Sequence, residues 1–106
     1  MNIITTQGDR ITYDITEDGD FNRGRKLLEL LRDSEALNQQ TDEEAIESIV
    51  ETIKMLNLWD DEHIRMVTKH YFYQLKFKLE NEDIDDIEFL YLQGKLVIED
   101  LEGKWN

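Results

Sequence analysis

The chain has no cysteine, no proline and only five glycines in 106 residues. The missing cysteine excludes a disulfide framework, a thiolate metal site and a cysteine nucleophile. The missing proline and sparse glycine leave little room for long loops or a linker. No stretch approaches the roughly 20 apolar residues of a membrane span. The opening MNIITTQGDR lacks the apolar run of a signal peptide. One cytoplasmic domain, 1–106, is the expectation, long enough to build a core.

Basic charge is scarce too. Twelve basic residues stand against twenty-five acidic ones, a net charge of −13. The imbalance is uneven. Residues 33–62 carry ten acids and one base, and residues 80–106 carry nine acids and two bases. Between them, residues 63–79 carry four bases and no acid. Such a surface repels free nucleic acid and anionic lipid and attracts basic partners. Solubility alone is the competing account of the same acidity.

What is present organises around His63 to Leu79, read as a helix. At 3.6 residues per turn, Ile64, Val67, Tyr71 and Leu75 share one face. Met66, Tyr73 and Phe77 form a second apolar stripe roughly opposite, and Arg65, Lys69 and Lys76 form a narrow charged strip. A helix apolar on most sides is central or packed between two layers. The sheet or the first helix is therefore expected to bury the second stripe.

The other elements follow from caps, periodicity and turns. Leu27, Leu28, Leu30 and Leu31 mark a first helix, Phe21 to Asp33, with Asp20 or Asn22 as its cap. Thr41 and Glu44 form a capping box that opens the next helix, which ends near Asn57. Its stripe is Ala45, Ile46, Ile49, Val50, Ile53 and Leu56. Asp60 is the expected cap of the central helix. Asn2 to Ile15 reads as a hairpin about a two-residue Gln7–Gly8 turn, with Ile4, Ile11, Tyr13 and Ile15 on one face. FLYLQGKLVIEDL, Phe89 to Leu101, reads as a second hairpin about Gln93–Gly94, with Ile87, Phe89, Tyr91, Leu96 and Ile98 on one face. A helix over Ile84 to Leu92 competes with it. The expected fold is α+β: an N-terminal β-hairpin, three helices and a C-terminal β-hairpin, the hairpins forming an antiparallel sheet with helices on one face.

Motifs for chemistry are near misses. Asp18, Asp20, Asn22 and Glu29 fall at positions 1, 3, 5 and 12 of a calcium-binding loop. The glycine required at position 6 is Arg23, and Gly24 comes one residue late. GDFNRGRK, Gly19 to Lys26, resembles a phosphate-binding loop, with Arg25 where the motif needs Lys and Lys26 where it needs Ser or Thr. His63 and His70 share a helical face but fall between apolar stripes, so they read as packing histidines rather than zinc ligands. No carboxylate pair stands out as an acid–base couple. No enzyme activity, metal or cofactor is expected.

The acids themselves are arrayed on ordered structure. Glu43, Glu44, Glu47 and Glu51 point away from the apolar stripe of the second helix. The run from Glu80 adds Glu82, Asp83, Asp85, Asp86 and Glu88. Glu43, Glu47 and Glu51 repeat at i, i+4, which costs a few tenths of a kcal/mol per like-charge pair. Exchanging these three for Gln is expected to leave the fold unharmed or slightly steadier. Carboxylates one turn apart are about 6 Å apart, near the phosphate repeat of a nucleic-acid strand.

In size, absent cysteine, net charge and acids on helix and loop, the chain resembles the small acidic inhibitors that phages and mobile elements encode against host nucleases, the anti-CRISPR and anti-restriction proteins. The resemblance implies a non-catalytic inhibitor in the host-cell cytoplasm, in many cases a DNA mimic. The implied partner is a protein with a basic surface, a nuclease or its nucleic-acid-binding subunit. Direct contact with nucleic acid or membrane is not expected, and the inhibitor would be a monomer or homodimer. The acid arrays, not the resemblance, supply the expected partner-binding residues: Glu43, Glu44, Glu47, Glu51, Glu82, Asp83, Asp85, Asp86 and Glu88. An immunity protein against a nuclease toxin, or an accessory subunit kept soluble by its acids, are the alternatives.

Because the Asp18 frame has Arg23 where glycine is required, and a frame begun at Asp14 has Arg25 where the terminal carboxylate is required, no stoichiometric Ca²⁺ binding is expected. Titration calorimetry showing a 1:1 site tighter than about 100 μM, within the range of such loops, would overturn this.

Overall fold

The computed structural model describes residues 2–12, 21–38, 41–55 and 59–103, and of 21–26 the backbone only. The longest element is a helix, Asp61–Glu80, flanked by Phe21–Asp33 and Asp42–Lys54 before it and Asp86–Leu101 after it. In chain order these are α1 (Phe21–Asp33), α2 (Asp42–Lys54), α3 (Asp61–Glu80) and α4 (Asp86–Leu101). The strands are β1 (Asn2–Ile4) and β2 (Arg10–Thr12).

Ile64, Val67, Tyr71 and Leu75 of α3 are fully buried, as their spacing requires, and Phe72 joins them. α2 begins at Thr41, whose hydroxyl accepts the Glu44 N–H at 3.1 Å. Its Ala45, Ile46, Ile49, Val50 and Ile53 are buried. Leu56 and Asn57 lie outside the described residues. α2 runs antiparallel to α3, because Asp42 meets Lys76 while Lys54 meets Asp61. Asp60 holds the cap position of α3, but its side chain makes no capping hydrogen bond. α1 has the expected bounds, and among its described side chains Leu27 and Leu31 are buried. Asp20 lies outside the described residues, and Asn22 is already inside the helix. Because the backbone is helical from Phe21 onward, positions 4–12 of the calcium frame and the last six residues of GDFNRGRK lie on a helix, not in a loop. The remaining positions of both near-motifs lie outside the described residues.

The expected C-terminal hairpin is not formed. Residues 86–101 are α4, so the fold is mostly helical, and among the described residues its sheet has two strands. Strand alternation would bury Ile87 and Tyr91 with Phe89, yet Ile87 is exposed and Tyr91 only half-buried. The buried set is Phe89, Leu90, Leu92, Gln93, Gly94, Leu96, Val97, Ile98 and Leu101, a helical stripe. Asp85 starts the helix by accepting the Glu88 N–H at 2.8 Å. Glu99, which strand pairing would set against Glu88, instead meets Lys95 one turn away at 2.8 Å. A short apolar run rich in β-branched and aromatic residues does not by its period separate strand from buried helix. Here the cap and the length decide it.

Gly94 shows why the glycine is not a turn. It lies inside α4 where α1 crosses, and an added Cβ would stand 2.5 Å from Leu27 Cδ2, 2.7 Å from Leu27 Cγ and 2.9 Å from Leu31 Cδ1. The residue sets how closely two helices approach. α4 meets α3 through an edge-to-face Phe72–Phe89 pair at 5.4 Å. The buried Gln93 amide also donates to the Thr68 carbonyl at 2.8 Å.

The N-terminal hairpin exists in a register shifted by one residue. Ile3 pairs with Ile11, and the loop is Thr6-Gln7-Gly8 with Gly8 at φ +89°. A glycine in the left-handed region closes such a three-residue loop. The Thr5 hydroxyl sits inside, accepting the Gln7 and Asp9 N–H groups at 3.3 and 3.2 Å. A slip of one residue exchanges faces, so Ile3 is buried and Ile4 turns outward. Tyr13 and Ile15 lie outside the described residues.

The second stripe of α3 is not buried. Met66 is 57% exposed, Tyr73 53% and Phe77 68%. α1 packs on α4 rather than on this face, and the hairpin is too small to cover it. Its β1 edge is hydrogen-bonded to α3 at His70 and Gln74.

The crowding at Gly94 outweighs the helix propensity of alanine. At an unpacked helix position Gly→Ala would stabilise by about 1 kcal/mol. Here the new methyl must displace two core leucines, an overpacking cost of about 1–3 kcal/mol. Gly94→Ala is expected to lower the urea midpoint, and Leu27→Ala in the same chain to recover part of the difference. A raised midpoint in the single variant would contradict the close approach.

Candidate interaction surfaces

The nine expected partner-binding acids separate into two kinds. Glu47 is held by Arg65, which contacts both of its carboxylate oxygens, the longer bond at 3.1 Å. Arg65 also meets Asp61 at 3.1 Å. Asp61 accepts Lys54 at 2.8 Å, and Lys54 approaches Glu51 at 3.6 Å. Glu47, Arg65, Asp61, Lys54 and Glu51 thus form one chain of alternating charge that fastens α2 to α3. The Arg65 hydrogen bond holds the Glu47 carboxyl below its ordinary range, and the Lys54 and Arg65 hydrogen bonds do the same to Asp61. Arg65 and Lys54 are correspondingly pushed up by those carboxylates. The like-charge series on α2 is therefore relieved from α3, and exchanging Glu47 for Gln removes an ion pair rather than a strain. Glu47 and Glu51 are fastening residues before they are docking residues. Asp85 is likewise occupied as the α4 cap.

The others gather at one end of the molecule. The Lys76–Asp42 pair, 3.4 Å, brings the N-terminus of α2 beside the last turns of α3. Glu43 and Glu44 lie in that first turn, exposed. The turn after α3 carries Glu82, at φ +61°, and Asp83, both exposed, and α4 opens with Asp86 and Glu88. Leu79, Ile84, Glu82, Asp83, Asp85, Asp86 and Glu88 line an open depression of about 520 Å³. Two helix N-termini point into this end, and their positive dipole ends stabilise the acids there. Among the described residues no group of three or more His, Cys, Asp or Glu is placed to hold a metal ion. His63 is exposed, and His70 Nε2 lies 2.7 Å from the Ile4 carbonyl.

Two features escaped sequence reading. One is that the second apolar stripe of α3, expected to be buried, stays open. The other is Asp100, whose carboxylate accepts the Tyr71 hydroxyl at 2.7 Å and the Thr6 hydroxyl at 2.8 Å, tying α3, α4 and the hairpin together. No local pattern signals a contact between residues so far apart in sequence.

No helix among the described residues is long and apolar enough to cross a membrane. Comparison with protein-family models, curated proteins and solved structures returned no match.

Burial, and then the bond to Asp100, raise the Tyr71 phenol above the ordinary tyrosine range. A raised pKa means a stabilising contribution fully present below the unfolded value near 10 and lost as pH climbs through the folded one. In an alkaline absorbance titration, one of the four tyrosines is expected to stay neutral until the chain unfolds. Tyr71→Phe should remove that late step alone. A late step that survives the substitution would assign it to another tyrosine.

Proposed function

We propose that the protein is a non-catalytic acidic inhibitor, of the anti-CRISPR or anti-restriction type, that docks on a basic nucleic-acid-binding surface of a nuclease. The observation that supports this reading is the acidic end. There Glu43, Glu44, Glu82, Asp83, Asp86 and Glu88 stand together on ordered helix starts and one turn, with no cation paired to them among the described residues. Carboxylates fixed on a rigid frame present a charge pattern without the ordering cost that a flexible acidic tail would incur. Docking through this end leaves the Glu47–Arg65–Asp61–Lys54–Glu51 chain undisturbed.

A panel of purified CRISPR and restriction nucleases, assayed for DNA cleavage with increasing amounts of the protein, tests the proposal. Inhibition should be competitive with DNA and weaken with salt, since complementary fields act chiefly on association rate. Joint replacement of Glu82 and Glu88 by Gln and of Asp83 and Asp86 by Asn should reduce inhibition at least about tenfold, the loss of a few charge contacts. Glu47→Gln should change it little. Inhibition that is indifferent to the acidic end, or not competitive with DNA, would defeat the decoy reading.

A further inference from the structure

We propose that the open face of α3 is the contact of a homodimer, in which two copies pack their α3 helices antiparallel about a two-fold axis. This contact borders the acidic end at Glu80 but is carried by a different face and does not rest on the inhibitor reading.

The face is apolar along its middle. Met66, Tyr73 and Phe77 recur over eleven residues, about 16 Å of helix at 1.5 Å per residue, and each is more than half exposed. Ile4, 43% exposed, lies beside Phe77 and widens the patch. An exposed apolar stripe rimmed by charge is the usual mark of a protein contact. Addition of a strand to β1 is not available, because the Gln74 side chain already takes both the N–H and the carbonyl of Ile4.

The rim charges identify the occupant. Lys69 and Glu80 are exposed and have no ion-pair partner among the described residues. They are eleven residues apart, which brings them within about 20° of each other around the helix. Both therefore lie on one flank of the stripe, one on each side of Tyr73 and Phe77. A uniformly acidic partner would repel Glu80, and a uniformly basic one would repel Lys69. The partner must carry the same two charges in reverse order along the contact. A second copy turned end for end does so by construction, since a two-fold axis across the helices sets equal flanks against each other. Lys69 then meets Glu80 of the second copy, and Glu80 meets its Lys69. The two pairs bracket the Tyr73 and Phe77 side chains of both copies. Parallel packing, about an axis along the helices, would carry the two copies' Lys69 and Glu80 to opposite flanks of the contact and pair none of them, so only the antiparallel arrangement uses both charges.

Net charge works against any self-association, because two chains at −13 repel at long range. At physiological ionic strength the screening length is about 8 Å, which removes most of that repulsion and spares contact pairs. The experiment is sedimentation equilibrium there, across a concentration series. The wild-type mass is expected to rise from 12.7 kDa to twice that value. Lys69→Glu and Glu80→Lys should each raise the dimer dissociation constant at least about tenfold, as attraction becomes repulsion at two symmetric points. The two changes combined should return it to near the wild-type value. Phe77→Ser should give monomer. All three positions are exposed, so unchanged far-ultraviolet circular dichroism is the expected control. A 12.7 kDa species at every concentration into the millimolar range would overturn the proposal and leave the face to a different protein. A combined variant as weak as either single one would overturn the antiparallel geometry.

Discussion

The structure depends on the burial of one face of α3, where Ile64, Val67, Tyr71 and Leu75 are closed off from solvent. α3 is enclosed by three neighbours, each using a different bond. α2 lies along it and is fastened by the charge chain through Arg65 and Lys54. α4 is held by the Phe72–Phe89 ring pair, the Gln93–Thr68 amide and the Tyr71–Asp100 hydroxyl. The hairpin is held by His70 and Gln74 reaching the backbone of Ile4. α1 comes no nearer than α4, where Gly94 lets it approach. Once those sides are taken, one face of α3 is left with nothing to cover it.

The acidity becomes less uniform when it is placed on this frame. Asp42, Glu43 and Glu44 open α2, Asp61 and Glu62 open α3, and Asp86 and Glu88 open α4. Every such first turn favours negative charge. Some of the acid is thus part of building short helices without proline or many glycines. The cations of α3 answer the acids of α2 at both ends, Arg65 to Glu47 and Lys76 to Asp42. A net charge read from composition merges these internal pairs with the carboxylates that face solvent. Only the second group can act on a partner.

Legibility in the sequence followed the range of the forces involved. Helices whose ends are marked locally were readable: Thr41 with Glu44, and the leucines of α1. So was the buried face of α3, because a 3.6-residue period is local. α4 was misread because its apolar run satisfies two periods, and its Gln93–Gly94 pair repeats the chemistry of a turn. Asp85 and Glu88, three residues apart ahead of that run, were the available signal for a helix start. The hairpin was recognisable, but its register depends on whether one or two residues precede Gly8 in the loop, a choice made by the buried Thr5 hydroxyl. Nothing local states that Gly94 faces Leu27, that Arg65 claims Glu47, or that the stripe of Met66, Tyr73 and Phe77 is left over. Those are properties of the assembled helices, and the candidate docking surfaces differ from the expected list for the same reason.

The hairpin has a further consequence, for the order of assembly. Two three-residue strands are too few to persist alone in water. Their ties run from Ile4 to Gln74, seventy residues on, and from Thr6 to Asp100, ninety-four residues on. Closing loops of that length costs entropy that only a finished helical frame offsets. On a ribosome the segment emerges ninety-four residues ahead of its anchoring carboxylate. The hairpin is consequently made well before it can be secured, and until then its Ile3 and Ile11 remain open to other contacts.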